Sequence, residues 1–317
     1  MRLNETIIQQ AELAKHFGIS GFCFYHYWFN GKLVLNRPLE DMLSKGTPNF
    51  PFMYCWANEN WTRRWDGSDE TVLLNQDYSF DDDLEHIKYL LPIFTDNRYI
   101  KVDGKPVFII YKPWLFPNIS KTIDIWRNYA SKNGIELYLC HMVFGYLDGW
   151  GALIDGFDAA VDFEPFGIRR SRRKMFCDQS SMRAEMNNKS GYLFRFMSNF
   201  KIKRSDISTL NIKSYISMSD NLTSLADFKF KLYPSICPGW DNSPRRGKDA
   251  TLILHDNDPK YFEKWYGKII NEFKPFSKDE NFIFINAWNE WAEGNHLEPC
   301  TKYGLDFLQA IKRNSNS

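Results

Sequence analysis

No stretch of this 317-residue chain reaches the roughly 18 apolar residues that a membrane-spanning helix needs. Net charge is scarce too. With 40 Lys and Arg against 39 Asp and Glu, the balance is +1, so no overall field draws the chain to nucleic acid. The six histidines form no HxH or HxxxH pair and the six cysteines no CxxC, which argues against a zinc site. Neither GxGxxG, GxxxxGK[ST] nor GxSxG occurs, so the dinucleotide, P-loop and hydrolase-elbow fingerprints are missing. No metal or cofactor is expected. The cysteines are scattered, four of them in expected strands, and read as reduced, buried thiols of a cytoplasmic protein. The first 18 residues carry the pattern of an amphipathic helix, not of a signal peptide.

What the chain has in excess is aromatic residues. They make up 17% of it, with 11 Trp and 16 Tyr, more than a core of this size needs. Amphipathic rings suit carbohydrate surfaces. Hydrophobic residues at 44% allow a sizeable core, and the length suits one domain over residues 1–317.

Apolar runs mark seven strands: Gly21–Tyr25, Phe52–Trp56, Pro106–Tyr111, Glu136–Cys140, Ala159–Phe163, Leu232–Cys237 and Phe282–Ala287. Helical periods lie between most of them. Leu84, Ile87 and Leu91 share one face, as do Ile123, Trp126 and Ala130, and Phe262, Trp265, Tyr266, Ile269 and Phe273. Asp258 with Pro259 predicts a capped helix start. This alternation argues for an α/β fold with a parallel sheet covered on both faces. Polar and aromatic clusters follow nearly every strand, as at the C-terminal face of a (β/α)₈ TIM-type barrel. A doubly wound sheet would gather its chemistry at one or two switch points. The count is one strand short and the chain opens on a helix, so the expected barrel is incomplete at its N-terminal side.

The densest cluster closes the last strand. After Phe282–Ala287 come Trp288, Asn289, Glu290, Trp291 and Glu293, and Gly294 ends the segment. Two Glu three apart in a helical turn have Cβ atoms about 5–6 Å apart. That approaches the roughly 5–5.5 Å carboxyl separation of a retaining glycosidase pair, a general acid beside a general base. The competing reading is a loop capped by surface glutamates over core tryptophans. A second cluster, WANENWTRRWDG, follows strand Phe52–Trp56. Its Asn58, Glu59, Asn60 and Asp66 suit vicinal hydroxyls, and Trp56, Trp61 and Trp65 offer stacking faces. Arg63 and Arg64 could hold a carboxylate or phosphate, or simply pair within the loop. Tyr25, His26 and Tyr27 end the first strand, and Tyr111 the third. Glu164 follows the fifth, and Trp240 and Asp241 follow the sixth, where a plain Pro-Gly turn fits equally well. A histidine placed like His26 is more often structural than catalytic.

Residues 168–227 stand apart as an insertion before the penultimate strand. From Arg169 to Arg204 there are 11 Lys and Arg against 2 Asp and Glu, a local +9. Leu193, Phe194, Phe196, Met197 and Phe200 are interleaved with them. Residues 169–204 suit peripheral contact with an anionic membrane, or a solvated insertion.

The segments GFCFYHYWFNGKLVLNRPLE, FPFMYCWANENWTRRWDG, PGWDNSPRRG and INAWNEWAEGNHLEP resemble the WbsX-type glycosyltransferases of bacterial surface-polysaccharide gene clusters. Those proteins are similar to glycoside hydrolase family 99. The resemblance runs from Ile8 to Phe307. It implies a (β/α)₈ barrel, no metal and a retaining reaction on an oligosaccharide or lipid-linked glycan. It implies that Glu290 deprotonates a sugar 2-hydroxyl, giving a 1,2-anhydro intermediate. Glu293 would protonate the leaving oxygen and then activate the acceptor. Ala292 stands where the hydrolases commonly have His. Relatives begin with a strand before this chain's first helix, which matches the strand count. The implied function is glycosyl transfer in O-antigen or capsule assembly, in the cytoplasm and at the inner membrane's surface. The alternatives are an endo-acting retaining hydrolase of endo-mannosidase type and an inactive glycan-binding barrel. The substrate ligands expected at the strand ends are Tyr25, His26, Tyr27, Trp56, Asn58, Glu59, Asn60, Trp65, Asp66, Tyr111, Glu164, Trp240, Asp241, Trp288 and Asn289.

Overall fold

The computed structural model describes residues 3–63, 68–144, 153–167, 208–211, 224–246 and 252–315. Trp65, Asp66 and the whole basic segment 169–204 lie outside the described residues. The helices named here are α1 (Leu3–His16), α2 (Arg37–Lys45), α3 (Phe80–Phe94), α4 (Ile119–Lys132), α5 (Pro259–Glu272) and α6 (Asp306–Ser315). The main strands are β1 (Phe22–His26), β2 (Phe52–Trp56), β3 (Lys105–Ile110), β4 (Tyr138–Val143) and β5 (Ala159–Asp162). Then come β6, in two stretches, Leu232–Tyr233 and Ser235–Ile236, and β7 (Phe284–Ile285).

All seven strands run parallel, and each pairs with the strand before it in the chain. Strand order therefore equals chain order, with no reversal. A doubly wound sheet must reverse its order at a switch point, whereas a barrel winds one way. The fold is α/β around a parallel sheet of TIM type. Among the described residues, no ladder joins β1 to β7.

Local signals set the helix starts. Ser79 accepts a bond from the Asp82 N–H ahead of α3, and Asn118 one from the Lys121 N–H ahead of α4. The expected Asp258 cap is present, with Pro259 at the first turn of α5.

Side chains alternate across each strand, and that parity decides what reaches the site. On β1, Cys23 and Tyr25 are exposed, while His26 is buried beside α3. On β2, Cys55 and then Ala57 line the cleft. Trp56 turns outward, with its ring 5.9 Å from Trp126 of α4 and 4.4 Å from His86 of α3. This outer layer of Trp56, Trp126, Ile87, Leu90 and Phe108 is the main core. Each such side chain contributes roughly 1.5–3 kcal/mol on burial.

Candidate active site

A tight hairpin presents the two glutamates. Asn289–Glu290 pairs antiparallel with Asn295–His296, and Trp291–Glu293 makes one 3₁₀ turn between them. Gly294 closes the turn at φ 57°, a conformation that a Cβ disfavours, and its N–H reaches the Trp291 carbonyl at 3.1 Å. The loop after β6 packs directly on this hairpin. A Cβ on Gly239 would lie 3.2 Å from the Gly294 carbonyl and 2.7 Å from Asn257 Nδ2, so any larger residue would push the Asn257 side chain aside and crowd the hairpin.

That loop then turns on Asp241, whose carboxylate accepts the Ser243 N–H at 2.9 Å. The short helix Ser243–Arg246 follows and aims Arg245 at the hairpin. Arg245 Nη1 lies 3.2 Å from Glu293 Oε1 and 3.5 Å from Glu290 Oε1. One nitrogen shared by two carboxylates limits their separation to the sum of these distances. That span admits the roughly 5–5.5 Å of a retaining pair. All three side chains are partly exposed, so these ion pairs contribute at most about 1 kcal/mol to stability.

Tyr27 faces the same group. Burial first, and then the negative charge of Glu290, push its hydroxyl up to about 12, with Arg245 opposing. It is therefore a neutral donor beside Glu290 at neutral pH. Trp61 meets the Tyr27 ring edge-on at 5.4 Å. On the neighbouring wall, Lys112 donates to Glu59, and its Nζ sits 5.4 Å from the centre of the Tyr111 ring. Tyr25 stands edge-on to Tyr111 at 5.9 Å. Although 37% exposed toward the cleft, its hydroxyl is desolvated by surrounding protein, which raises its pKa well above the usual range.

These walls form one end of a cleft of about 2380 Å³ that runs from the strands' C-terminal ends along the opening between β1 and β7 to their N-terminal side at Gly21 and Phe282. Of the residues singled out from sequence, Tyr25, Tyr27, Glu59, Asn60, Tyr111, Trp240, Trp288, Asn289, Glu290 and Glu293 line it. Trp65 and Asp66 lie outside the described residues.

Five others are placed elsewhere. Trp56 is 1% exposed and donates its indole N–H to the Trp28 carbonyl, so its ring offers no face to a sugar. His26 is 3% exposed, within a stack of Tyr54, Tyr89 and His86. Asn58 is fully buried, where it fastens the Lys112 backbone. Glu164 is 1% exposed, with its N–H bonded to Ser235 Oγ and its carbonyl accepting from Asn286. Asp241 is spent on the turn before Arg245. The reason is parity for His26 and Trp56, and backbone fastening for Asn58 and Asp241.

Sequence reasoning passed over Arg245 and Lys112. The signal for Arg245 was the Pro-Arg-Arg run one residue after PGWDN, which places a cation near an expected strand end. Among the described residues, no group of His, Cys, Asp and Glu could hold a metal ion.

The family model of the WbsX glycosyltransferases matches residues 1–311. This chain belongs to the WbsX glycosyltransferase family. The uncharacterized protein WxcX of Xanthomonas campestris pv. campestris is 32% identical over 318 residues in one strain and 33% in another. Each match covers 99% of this chain and 41% of WxcX, so the WbsX-family chain spans under half the length of these relatives. Among solved structures, it is similar to an endo-alpha-mannosidase of glycoside hydrolase family 99 from Bacteroides thetaiotaomicron. The TM-score is 0.53 at 14% identity, covering 99% of this chain and 78% of that one. A glycoside hydrolase-like protein gives 0.52 at 16%, covering 98% and 84%. At these identities the likeness shows the fold alone.

Proposed function

We propose that this chain is a retaining glycosyltransferase of bacterial surface-polysaccharide assembly, built on a (β/α)₈-type barrel open between β1 and β7. Its substrate is an oligosaccharide or lipid-linked glycan bound in the aromatic cleft. The observation that carries this reading is the Glu290–Arg245–Glu293 cluster at the cleft mouth, with both carboxylates on one guanidinium nitrogen. Glu290 takes the proton of the donor sugar's 2-hydroxyl, and O2 attacks the anomeric carbon as the leaving oxygen departs with a proton from Glu293. Glu293, now a carboxylate, accepts the proton of the acceptor hydroxyl, which opens the 1,2-anhydro ring. Glu290 returns its proton to O2. Two inversions give net retention, and both glutamates end as they began.

Arg245 holds the carboxylates in place until the sugar displaces it. The neutral Tyr27 hydroxyl donates toward Glu290 or the sugar oxygen it serves. Tyr25, Tyr111 and Trp61 supply ring faces for the glycan. The basic segment 169–204 would rest on anionic lipid at the cytoplasmic face, bringing the cleft to a lipid-linked acceptor.

The test is to incubate the protein with a polyprenyl-diphosphate-linked oligosaccharide acceptor and activated sugar donors, and to read the product by mass spectrometry and NMR. A new glycosidic bond with the donor's anomeric configuration supports the reading. Free sugar as the only product, with acceptor in excess, would make the chain an endo-acting hydrolase. Binding without any turnover would make it a glycan-binding barrel.

A further inference from the structure

We infer that Trp240 and Asn242 form a hydroxyl-reading subsite beside the glutamates: the indole N–H donates to one sugar hydroxyl, and the Asn242 side-chain oxygen accepts from the same group. The inference rests on the proposed reading of the cleft as a glycan site and names two residues that choose among glycans. Its ground is a pair of polar atoms that the protein itself leaves without partners. Trp240 and Asn242 are each 5% exposed, and neither Trp240 Nε1 nor Asn242 Oδ1 has a hydrogen-bond partner. Both residues line the cleft. Buried polar groups are nearly always paired, because a lost partner costs the group its full desolvation penalty. Two orphans of opposite sense on one loop, both at the cleft wall, point to a ligand that carries a donor and an acceptor.

The local fold puts them there. Trp240–Asp241 is a short extended pair, antiparallel to Leu252–His255. Residues two apart on extended chain share a face. Trp240 and Asn242 therefore turn to the cleft together, while Asp241 between them accepts the Ser243 N–H. The Trp240 ring is packed, with Phe166 edge-on at 5.0 Å and Leu254 in the same buried cluster. It offers a ligand its polar edge, not a stacking face. The Asn242 carbonyl accepts the Arg245 N–H at 3.1 Å, which ties this residue to the turn that carries Arg245 to Glu290 and Glu293. The subsite thus serves the sugar ring nearest the glutamates. A hydroxyl both donates and accepts, so one such group satisfies both orphans. A carboxylate or phosphate only accepts and would set a negative charge against Asn242 Oδ1, and a trans amide carries its donor and acceptor on opposite edges. The group read here is therefore a neutral sugar hydroxyl.

The test is binding, read by NMR without turnover, so it stands apart from the chemistry proposed for the glutamates. The 11 tryptophans are labelled with heavy nitrogen, and the Trp240 indole signal is the one that Trp240→Phe removes. The probes are the methyl α-glycosides of mannose, galactose, glucose and rhamnose, with their monodeoxy analogues. One parent glycoside should move the Trp240 N–H signal downfield, as a new hydrogen bond does. One of its monodeoxy analogues should bind on the order of 10–100-fold more weakly, because the missing hydroxyl strands a buried donor and a buried acceptor. Asn242→Leu keeps the backbone bond to Arg245 and should remove most of that discrimination. The monodeoxy series on the parent protein decides even where this variant does not fold. Full discrimination together with no turnover on any acceptor would keep the subsite and remove the transferase reading. Three results overturn the inference: no glycoside moves the Trp240 signal; every monodeoxy analogue binds as well as its parent; or a folded Asn242→Leu discriminates as fully as the parent protein.

Discussion

The Asn58 side chain bonds both backbone groups of Lys112, its Nδ2 donating to the carbonyl and its Oδ1 accepting from the N–H, each at 2.8 Å. An amide used this way copies one rung of a β-ladder and ties the end of β2 to the end of β3. Tyr78 completes the tie, since Asn58 Nδ2 also reaches its hydroxyl at 3.2 Å. The consequence is functional: Glu59 and Lys112 are held side by side on the cleft wall. Asn58→Ala leaves the two part-buried Lys112 backbone groups without this partner, at up to about 1–3 kcal/mol each. A clear fall in Tm should accompany weaker glycan binding. Unchanged Tm and affinity would show that the tie does not shape the wall.

Glu290→Gln and Glu293→Gln should each cut turnover by about 10²–10⁴-fold, the usual scale for losing a general base or acid. Both side chains are partly exposed, so the fold should persist. Thermal melts within a degree or two of the parent, beside the lost rate, are the expected pattern. Near-full rate in either variant sinks the proposed chemistry.

Trp56 and Trp61 should separate cleanly. Trp56→Ala empties a core position closed in by Trp126, His86 and Phe116 and should destabilise by about 3–5 kcal/mol. Trp61→Ala, at the cleft wall, should lower glycan affinity and leave Tm nearly unchanged. Calorimetry on both variants decides. Equal stability losses would place Trp61 in the core as well.

The same pair shows what could be read from sequence. The seven apolar runs all appear as strands, because a parallel sheet covered on both faces demands unbroken apolar segments. That uninterrupted character also hides the phase. With both faces apolar, Tyr25 and His26, or Trp56 and Ala57, give no sign of which faces the interior. The β4 run shows a related slippage: the strand expected over Glu136–Cys140 is observed at Tyr138–Val143. The Glu290 hairpin was legible because its composition changes abruptly at Trp288. Arg245 was not, because its meaning arises only where the loop after β6 packs on the hairpin through Gly239 and Gly294.

The buried histidines make acid sensitivity the last expected outcome. His26 and His86 face each other through their Nε2 atoms at 2.9 Å, so at most one proton fits between them. Burial pulls His26 down to about 3, and burial and then His26 hold His86 well below its usual range. His141 behaves likewise, lowered by burial to about 4, with its Nε2 accepting the Ile154 N–H. In the unfolded chain each imidazole titrates near 6.5. Below that pH the unfolded state binds protons that the folded state refuses, so stability is full above about 6.5 and falls as pH drops toward 3. Each group costs about 1.4 kcal/mol per pH unit inside this window. Asp83 opposes them: burial raises it to about 6, so between its usual value and 6 the folded form holds the extra proton. Asp82, also raised by burial, opposes them too, but three imidazoles against two carboxyls still leave a net loss in acid. His86→Gln keeps a side chain able to bond His26 but does not titrate. Between pH 6 and 5, the variant's stability should therefore fall less steeply than the parent's, by about one imidazole's share. Denaturant melts at half-unit pH steps measure this. An unchanged slope would mean that His86 is protonated in the folded protein, and the buried pair would have to be redrawn.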